Sequence, residues 1–357
     1  MQYDIAIIGA GPAGAALASF LPKQYRILLL DRRDLLDGEN QKGKCCGGLL
    51  APDAQKMLGK MGLAVNKDVL VDPQMFLVRA IDFDNYLERY YQRYYFNINR
   101  LNFDEWLIST IPNNVDMALG CRFTSLVESR DGYELAFLYE NKIFTERVKL
   151  IIGADGAWSK VRQQLYGEND SLKKYIAIQE WFETDKTIPY YGAIFDSEIT
   201  DFYSWTIPKE GKIIIGSALA PDKDANKKFE ILKGKLKEYG FVFSNCVNRE
   251  GAYLLRPRRK DTLTGNNHAA LVGEAGGFIS PSSAEGISYA LKSSYALAMS
   301  LKDGIGDFQK RYKKNLRPVL RSITFKQMKS PGMYNQTIRG MVIKSGILSS
   351  KRLSNQD

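Results

Sequence analysis

Three glycine-rich turns and one cysteine loop hold the groups of this chain that could do chemistry. Gly9-Ala-Gly11-Pro12-Ala13-Gly14 has the spacing G-x-G-x-x-G. In such a turn the first glycine permits a tight bend, the second lets backbone approach a pyrophosphate, and the third lets the next helix pack closely. The helix start behind it offers unpaired N–H groups to phosphate. Asp31, about twenty residues on, ends the next apolar run and can accept hydrogen bonds from a ribose diol. A dinucleotide site is expected. Two further turns follow, Gly153-Ala-Asp155-Gly156 leading to Ser159 and Arg162, and Gly273-Glu274-Ala-Gly276 leading to Glu285-Gly286-Ile287. Lys44-Cys45-Cys46-Gly47-Gly48 supplies thiols; a free thiol titrates near pH 8.5 and so carries a proton at neutral pH. Tyr203-Ser-Trp205-Thr-Ile207-Pro208-Lys209 places two aromatics on one face of an extended segment. His268 is the one histidine, which disfavours a histidine acid/base relay, and four cysteines without a CxxC pair leave no zinc ligand set, so no metal is expected.

The elements that must position these residues read as α/β. Tyr3 to Ile8, Pro12 to Leu21 and Tyr25 to Leu30 form strand, helix, strand around the first turn. A Gly/Lys-rich segment from Gly38 to Gly48 precedes a helix over Pro52 to Met61, and Val71 to Ile98, rich in tyrosine, reads as strands. Asn102 is expected to cap a helix over Phe103 to Ile111, with Glu105 in the capping-box position. Arg147 to Ile152 and Ala269 to Val272 are strands entering the second and third turns, Tyr175 to Ala218 is again strand-rich, and helices are expected over Asn226 to Tyr239 and Glu285 to Lys302. The expected architecture is a Rossmann-type domain of residues 1–72, 100–170 and 255–320, interrupted by a smaller β-sheet-rich substrate domain of residues 73–99 and 171–254. A basic helical segment, 321–357, ends the chain.

At 357 residues with 45% hydrophobic and 25% charged, the chain is a globular protein of about two domains, not a fibre or a disordered chain. The apolar stretch Ile5 to Leu21 lacks a basic leader and contains glycines, so neither a signal peptide nor a membrane span is expected. The net charge of +10 is uneven, with a basic run from Lys310 to Lys329 and further lysines and arginines to Arg352. Such a run either solvates a helix face or meets anionic lipid. No nucleic-acid module accompanies it, so no nucleic-acid partner is expected.

The succession GxGxxG, then Gly-Ala-Asp155-Gly156-x-x-Ser159-x-Val-Arg162, then Val-Gly273-Glu274-Ala-x-Gly resembles the glutathione-reductase-2 flavoproteins, a group with aromatic hydroxylases, halogenases and geranylgeranyl reductases. The resemblance spans most of residues 3 to 295. It implies FAD as cofactor, with Asp31 on the adenosine ribose, Asp155 and Gly156 beside the pyrophosphate, Arg100 over the cofactor, and Gly286-Ile287 at the helix end facing the flavin pyrimidine edge. The expected cofactor-binding set is Gly9, Gly11, Pro12, Ala13, Gly14, Asp31, Arg32, Cys46, Gly47, Gly48, Arg100, Asp155, Gly156, Gly273, Glu274, Gly286 and Ile287. Glu274 stands where the family carries Asp. Ion pairing is the ordinary alternative for Arg100 and Arg162.

Lys44-Cys45-Cys46-Gly47-Gly48 is similar to the K-P-C-G-G segment of geranylgeranyl reductases, with Cys45 for Pro, and Tyr203-x-Trp205-x-Ile207-Pro208 to their Y-x-W-x-F-P. That likeness implies reduction of C=C bonds of a long apolar isoprenoid or lipid by hydride from flavin N5, with Cys46, Tyr203 and Trp205 as the catalytic set. As ordinary residues, the cysteines would be inert and the aromatics core. Two alternatives stand beside it: an FAD monooxygenase of a small or aromatic substrate, and a non-catalytic flavin redox sensor. No second GxGxxG serves NAD(P)H, so the expected donor is a transiently docked NAD(P)H, a ferredoxin or a flavodoxin. A cytoplasmic location is expected, with peripheral contact at the inner membrane face.

Overall fold

The computed structural model describes residues 2–36, 43–167, 172–186 and 188–350. Gly38 to Lys42 of the expected loop, and Lys351 and Arg352, lie outside the described residues. The chain opens with β1 (Gln2–Ile8), α1 (Pro12–Phe20) and β2 (Ile27–Leu30). β3 (Leu49–Leu50), α2 (Pro52–Lys60), β4 (Met75–Asp82), β5 (Leu87–Asn97) and α3 (Arg100–Ser109) follow. β6 (Val115–Ala118), β7 (Arg122–Ser129), β8 (Gly132–Tyr139) and β9 (Lys142–Gly153) lead into α4 (Lys160–Tyr166). Next come β10 (Lys174–Glu183), β11 (Tyr191–Phe195), β12 (Ser204–Lys209), β13 (Lys212–Leu219), α5 (Ala225–Glu238) and β14 (Cys246–Leu255). β15 (Gly265–Asn266), β16 (Ala269–Leu271), α6 (Ile287–Leu301), α7 (Phe308–Asn315), α8 (Arg317–Tyr334) and α9 (Gln336–Ser345) close the order.

Two sheets result. The first runs β15-β16-β9-β1-β2-β6, parallel from β16 to β6, with β8 antiparallel to β9 and β7 antiparallel to β8. Its central strands β1 and β2 are buried on both faces, as parallel strands are. Ile5, Ile7, Ile27 and Leu29 point into a core with α1 and α6, while Ala6, Ile8, Leu28 and Leu30 point into a core with Phe123 and Leu135. The period of two in a strand sorts them. The second sheet runs β14-β10-β13-β12-β11-β4-β5-β3 and is antiparallel except where β11 meets β4. Ile213 and Ile215 face α5 through Phe229 and Leu232, and Ile214 faces the opposite, aromatic side with Tyr203 and Trp205. No helix among the described residues is long and apolar enough to cross a membrane.

One boundary moves. The cap of α3 is Asn99, whose side chain accepts from the backbone N–H of Leu101 and Asn102, so Asn102 lies inside the helix and Glu105 is not at a capping-box position. Both asparagines have the same capping chemistry; Asn99 holds the extended backbone a cap requires, at φ −72° and ψ 120°.

Candidate functional site

The first turn is built as a phosphate cradle. Gly9 adopts φ +107°, and a side-chain carbon there would stand 2.6 Å from the Ala154 carbonyl oxygen. One at Gly14 would stand 1.8 Å from the Gly9 oxygen, whereas one at Gly11 meets nothing within 4 Å. Two glycines are therefore required by packing and the third opens onto free space. No side chain caps α1, whose Ncap is Gly11 and whose first residue is Pro12, so its first-turn N–H groups are left for a ligand. Asp31 is buried at the tip of β2. It accepts from the Ala10 N–H at 2.7 Å and the Arg33 N–H at 2.8 Å. The Arg33 guanidinium joins Asp31 to Asp104 at 3.0 Å, and Asp104 pairs with Arg100 at 2.9 Å. Arg33 thus does the pairing and Arg32 is exposed, a distinction two adjacent arginines do not reveal in sequence.

The other two glycine turns close on the same place. Asp155 is half-buried; its carboxylate accepts from the Ser159 hydroxyl at 2.5 Å and the Val161 N–H at 3.2 Å, and desolvation raises its pKa despite these bonds. Ser159 in turn caps α4 through Arg162 N–H. Arg162 is buried and donates to the carbonyls of Ala157 at 2.6 Å and Ala275 at 2.8 Å, so it stitches the second turn to the third. Its guanidinium is thus held inside by carbonyls rather than in a surface ion pair. A side-chain carbon at Gly273 would stand 2.9 Å from Ala13 Cβ, and Ser294 donates to the Ala13 carbonyl at 2.7 Å, which locks α1 against α6. Glu274 accepts from the Leu255 N–H at 2.8 Å and faces Lys44 Nζ at 3.8 Å. Lys44 also stands 3.7 Å from the side-chain position at Gly156. It therefore brings a cation to the second and third turns together.

Gly286 begins α6 without a side-chain cap, Ile287 is its first residue, and no acidic residue lies in its first turn. Beside them Ser288 Oγ is buried with no partner among the described residues. The approach to α6 is clamped: Arg256 donates to the Pro281 carbonyl, Tyr334 to Ser282 and Tyr203 to Ser283. Ala284, the next residue, holds φ +48°, a strained value for a residue with a side chain. Open space at Gly11, two uncapped helix starts and an unpartnered buried hydroxyl fit an FAD. The α1 end would hold the pyrophosphate, Asp31 the ribose and the α6 end the flavin.

The cysteine loop meets β12. Side-chain positions at Gly47 and Gly48 would stand 2.4 Å from Ile207 Cδ1 and 2.3 Å from Lys209 Nζ. Lys209 is buried and donates to the carbonyls of Gly47 at 3.1 Å and Ile98 at 2.6 Å. Gln179 joins the two motifs, donating to the Cys46 carbonyl at 3.3 Å and accepting from Trp205 Nε1 at 3.4 Å. Neither Gln179 nor the role of Lys209 carries a local sequence signal. Burial pushes the Cys46 thiol up, but the Arg100 guanidinium, the Gly48 N–H and Lys209 outweigh it and set the thiol below its ordinary value. Cys45 is pushed up to about 12, chiefly by burial. Burial lowers Lys209 to about 8 against the opposing pull of Cys46 and Glu210. Tyr203 packs 5.7 Å from Trp205, ring to ring, in an aromatic cluster with Phe202, Tyr191 and Tyr91. The structure thus brings Cys46, Gly47, Gly48, Arg100, Tyr203 and Trp205 together through Gln179 and Lys209, and Tyr203 ties them to the segment before α6.

The FAD binding domain family matches residues 2–185. The CbrA protein of Escherichia coli O6:H1 is 39% identical over 347 residues, covering 97% of this chain and 94% of that protein. That of Escherichia coli K12 is 38% identical over the same length. Among solved structures, a geranylgeranyl bacteriochlorophyll reductase-like protein of Thermoplasma acidophilum superposes with a TM-score of 0.82 at 17% identity, covering 100% of this chain and 94% of that one. PqsL of P. aeruginosa, in complex with 2-aminobenzoylacetate, reaches 0.70 at 17% identity, covering 96% and 100%. The myxobacterial chondrochloren halogenase CndH reaches 0.69 at 18%, covering 92% and 81%. These structural likenesses carry the fold, and the sequence matches carry the family. Its three glycine turns thus have their place in a known flavoprotein scaffold: the chain belongs to the FAD binding domain family, is related over nearly its whole length to the CbrA proteins, and is an FAD-dependent oxidoreductase.

Proposed function

We propose that the protein reduces carbon–carbon double bonds of a long apolar substrate, an isoprenoid or lipid, as geranylgeranyl reductases do. The observation that carries this reading is the junction of the Cys46 loop with the aromatic face of the second sheet through Gln179. A wall of Tyr203, Trp205, Tyr191 and Leu49 beside a thiol suits a substrate recognised by apolar length. The fold shared with the reductase-like protein of Thermoplasma acidophilum supports the same reading.

When bound, FAD would supply the electron pair and one hydrogen. The protein's own groups would handle the other. Cys46, a stronger acid than a free thiol, would give a proton to the second carbon, and Arg100 and Lys209 would stabilise the thiolate left behind. Lys209, lowered by burial to about 8, would return that proton. Tyr203 would hold the segment leading to α6 while its ring borders the substrate. The electron donor in this reading is NAD(P)H, or a ferredoxin or flavodoxin, docking transiently.

A monooxygenase acting on an aromatic substrate is the second reading, favoured by the fold shared with PqsL. Anaerobic reduction of the yellow protein with NADPH, or with dithionite, followed by a prenylated lipid, separates the two. Return of the oxidised flavin spectrum without oxygen supports the reductase. Reoxidation only on admission of air, with a product that has gained oxygen, replaces it with the monooxygenase.

A further inference from the structure

The last two helices carry apolar side chains on the outside. In α9 the residues turned inward are Arg339, Gly340 and Ile343. Ile338, Met341 and Val342, at i, i+3 and i+4, share the outer face and are 42%, 63% and 44% exposed. Ile347 and Leu348 follow at 68% and 89%, and on α8 Phe325 and Met328 stand at 58% and 74%. An amphipathic helix on a protein in water turns its apolar stripe inward; α9 does the reverse. Tyr86, 95% exposed at the tip of the β4–β5 hairpin, adjoins this surface, because Asn85 donates to the Gln336 carbonyl at the start of α9.

The charge around the stripe has one sign. From Phe308 to Ser350 the sequence has no Asp or Glu and ten Lys and Arg. Among the described residues, the ion pairs of this segment are those of Lys310 with Asp307, Lys326 with Glu285, and Arg339 with Asp82 and Asp84. Lys313, Lys314, Arg317, Arg321, Lys329 and Lys344 are exposed. Lys329 lies over the Phe325 ring at 4.2 Å, its stem along apolar surface. Exposed apolar residues bordered by unpaired cations match a bilayer with anionic headgroups. A second copy would bring a like-charged surface from a protein of net charge +10, which opposes self-association through this face. A nucleic acid would use the cations and leave the apolar stripe wet.

We propose that α8 and α9 dock this protein on an anionic lipid bilayer, with Ile338, Met341, Val342, Ile347 and Leu348 entering the headgroup boundary and the lysines and arginines of α7 and α8 meeting lipid phosphates. The surface is connected to the site. Tyr334, the last residue of α8, packs on Phe195 and Phe202 of the aromatic cluster and donates to Ser282 at 2.5 Å, in the segment leading to α6. Docking here sets the bilayer next to the elements that border the proposed substrate wall, but the binding does not depend on which reaction the flavin performs.

The test is flotation of the full-length, flavin-loaded protein with vesicles of phosphatidylcholine, with and without phosphatidylglycerol, in the absence of substrate. Binding is expected only with phosphatidylglycerol, and weakens at high salt. Met341→Glu with Val342→Glu, and separately Lys313→Glu with Arg317→Glu, are each expected to weaken it about tenfold or more, with the flavin spectrum and melting temperature unchanged. Equal binding to both vesicles, binding to neither, or variants that bind as the parent does would overturn the proposal. So would a dimer in light scattering that Met341→Glu with Val342→Glu dissociates, since the stripe would then be a protein interface. Failure of the double-bond chemistry leaves the flotation result as it stands.

Discussion

Tyr203 Oη donates to the Ser283 carbonyl oxygen at 2.7 Å, tying the aromatic face of the second sheet to the strained segment that starts α6. Tyr334 and Arg256 hold the two residues before it, so three elements distant in sequence set the direction of one helix end. The α6 start is where the flavin would lie, and its orientation is therefore a shared property of the second sheet and α8.

Tyr203→Phe removes that bond without removing the ring. A buried carbonyl left without its donor costs about 1–3 kcal/mol. The expected outcome is a lower melting temperature together with weaker FAD retention, read by release of flavin fluorescence on dilution. Combined with Tyr334→Phe the losses should exceed their sum, because each tyrosine alone still restrains Ala284. Strict additivity would mean the two bonds act separately.

Gly14→Ala tests the cradle. Replacing a helical glycine by alanine ordinarily stabilises by about 1 kcal/mol. Here the new carbon would stand 1.8 Å from the Gly9 oxygen, so backbone must shift, and overpacking of that kind costs about 1–3 kcal/mol. The clash decides the sign: loss of bound flavin and a lower melting temperature are expected. Gly11→Ala, which meets nothing within 4 Å, should keep the apoprotein's stability while weakening FAD binding. An equal melting temperature for the Gly14→Ala and parent apoproteins would contradict the packing argument.

The two adjacent cysteines should part company with pH. Cys46 lies below the ordinary thiol value and Cys45 is raised to about 12, so near pH 8 an alkylating reagent should label Cys46 and spare Cys45. Cys46→Ser then removes one labelled equivalent and Cys45→Ser removes none. Because the folded pKa of Cys46 is depressed, its contribution to stability is fully present above the ordinary thiol value and fades as pH falls through the lowered one. Cys46→Ser should therefore flatten the stability profile across that window. Lys209→Met should move the labelling inflection upward, since a cation facing the thiolate is lost.

Arg339 holds α9 to the second sheet. Its guanidinium donates to Asp82 at 2.8 and 2.9 Å and to Asp84 at 2.5 Å, with Arg339 and Asp82 both buried. Removing one partner of a buried pair costs about 3–5 kcal/mol because a carboxylate is stranded. Arg339→Met is expected to lower the denaturant midpoint strongly, and adding Asp82→Asn should recover part of the loss. No recovery would place the cost in lost packing instead.

How much of this was legible in the chain differs residue by residue. The glycine turns were legible because their demands are local: Gly9 and Gly14 answer to a tight bend and a helix packed on it, and no other residue meets those demands. The strands entering each turn were legible for the same reason, since alternation and apolar runs report on neighbours a few residues away. The cap of α3 was misplaced by three positions, because Asn99 and Asn102 have the same side chain and only the path of the backbone chooses between them.

The tertiary structure decided what depends on distant partners. Gln179, Lys209, Arg33 and Lys44 enter the site only because separate strands and loops converge; Lys44 and Lys209 stand within motifs legible in the chain, but the partners that give them their roles lie far from them in sequence. The chain by itself determined the flavin scaffold and the excess of positive charge at its end. It did not determine which side of α9 faces water. Ile338, Met341 and Val342 have the spacing of a core stripe, yet Arg339 lies inward because Asp82 and Asp84 wait for it on the sheet, and a buried pair with three hydrogen bonds outweighed the burial of that stripe.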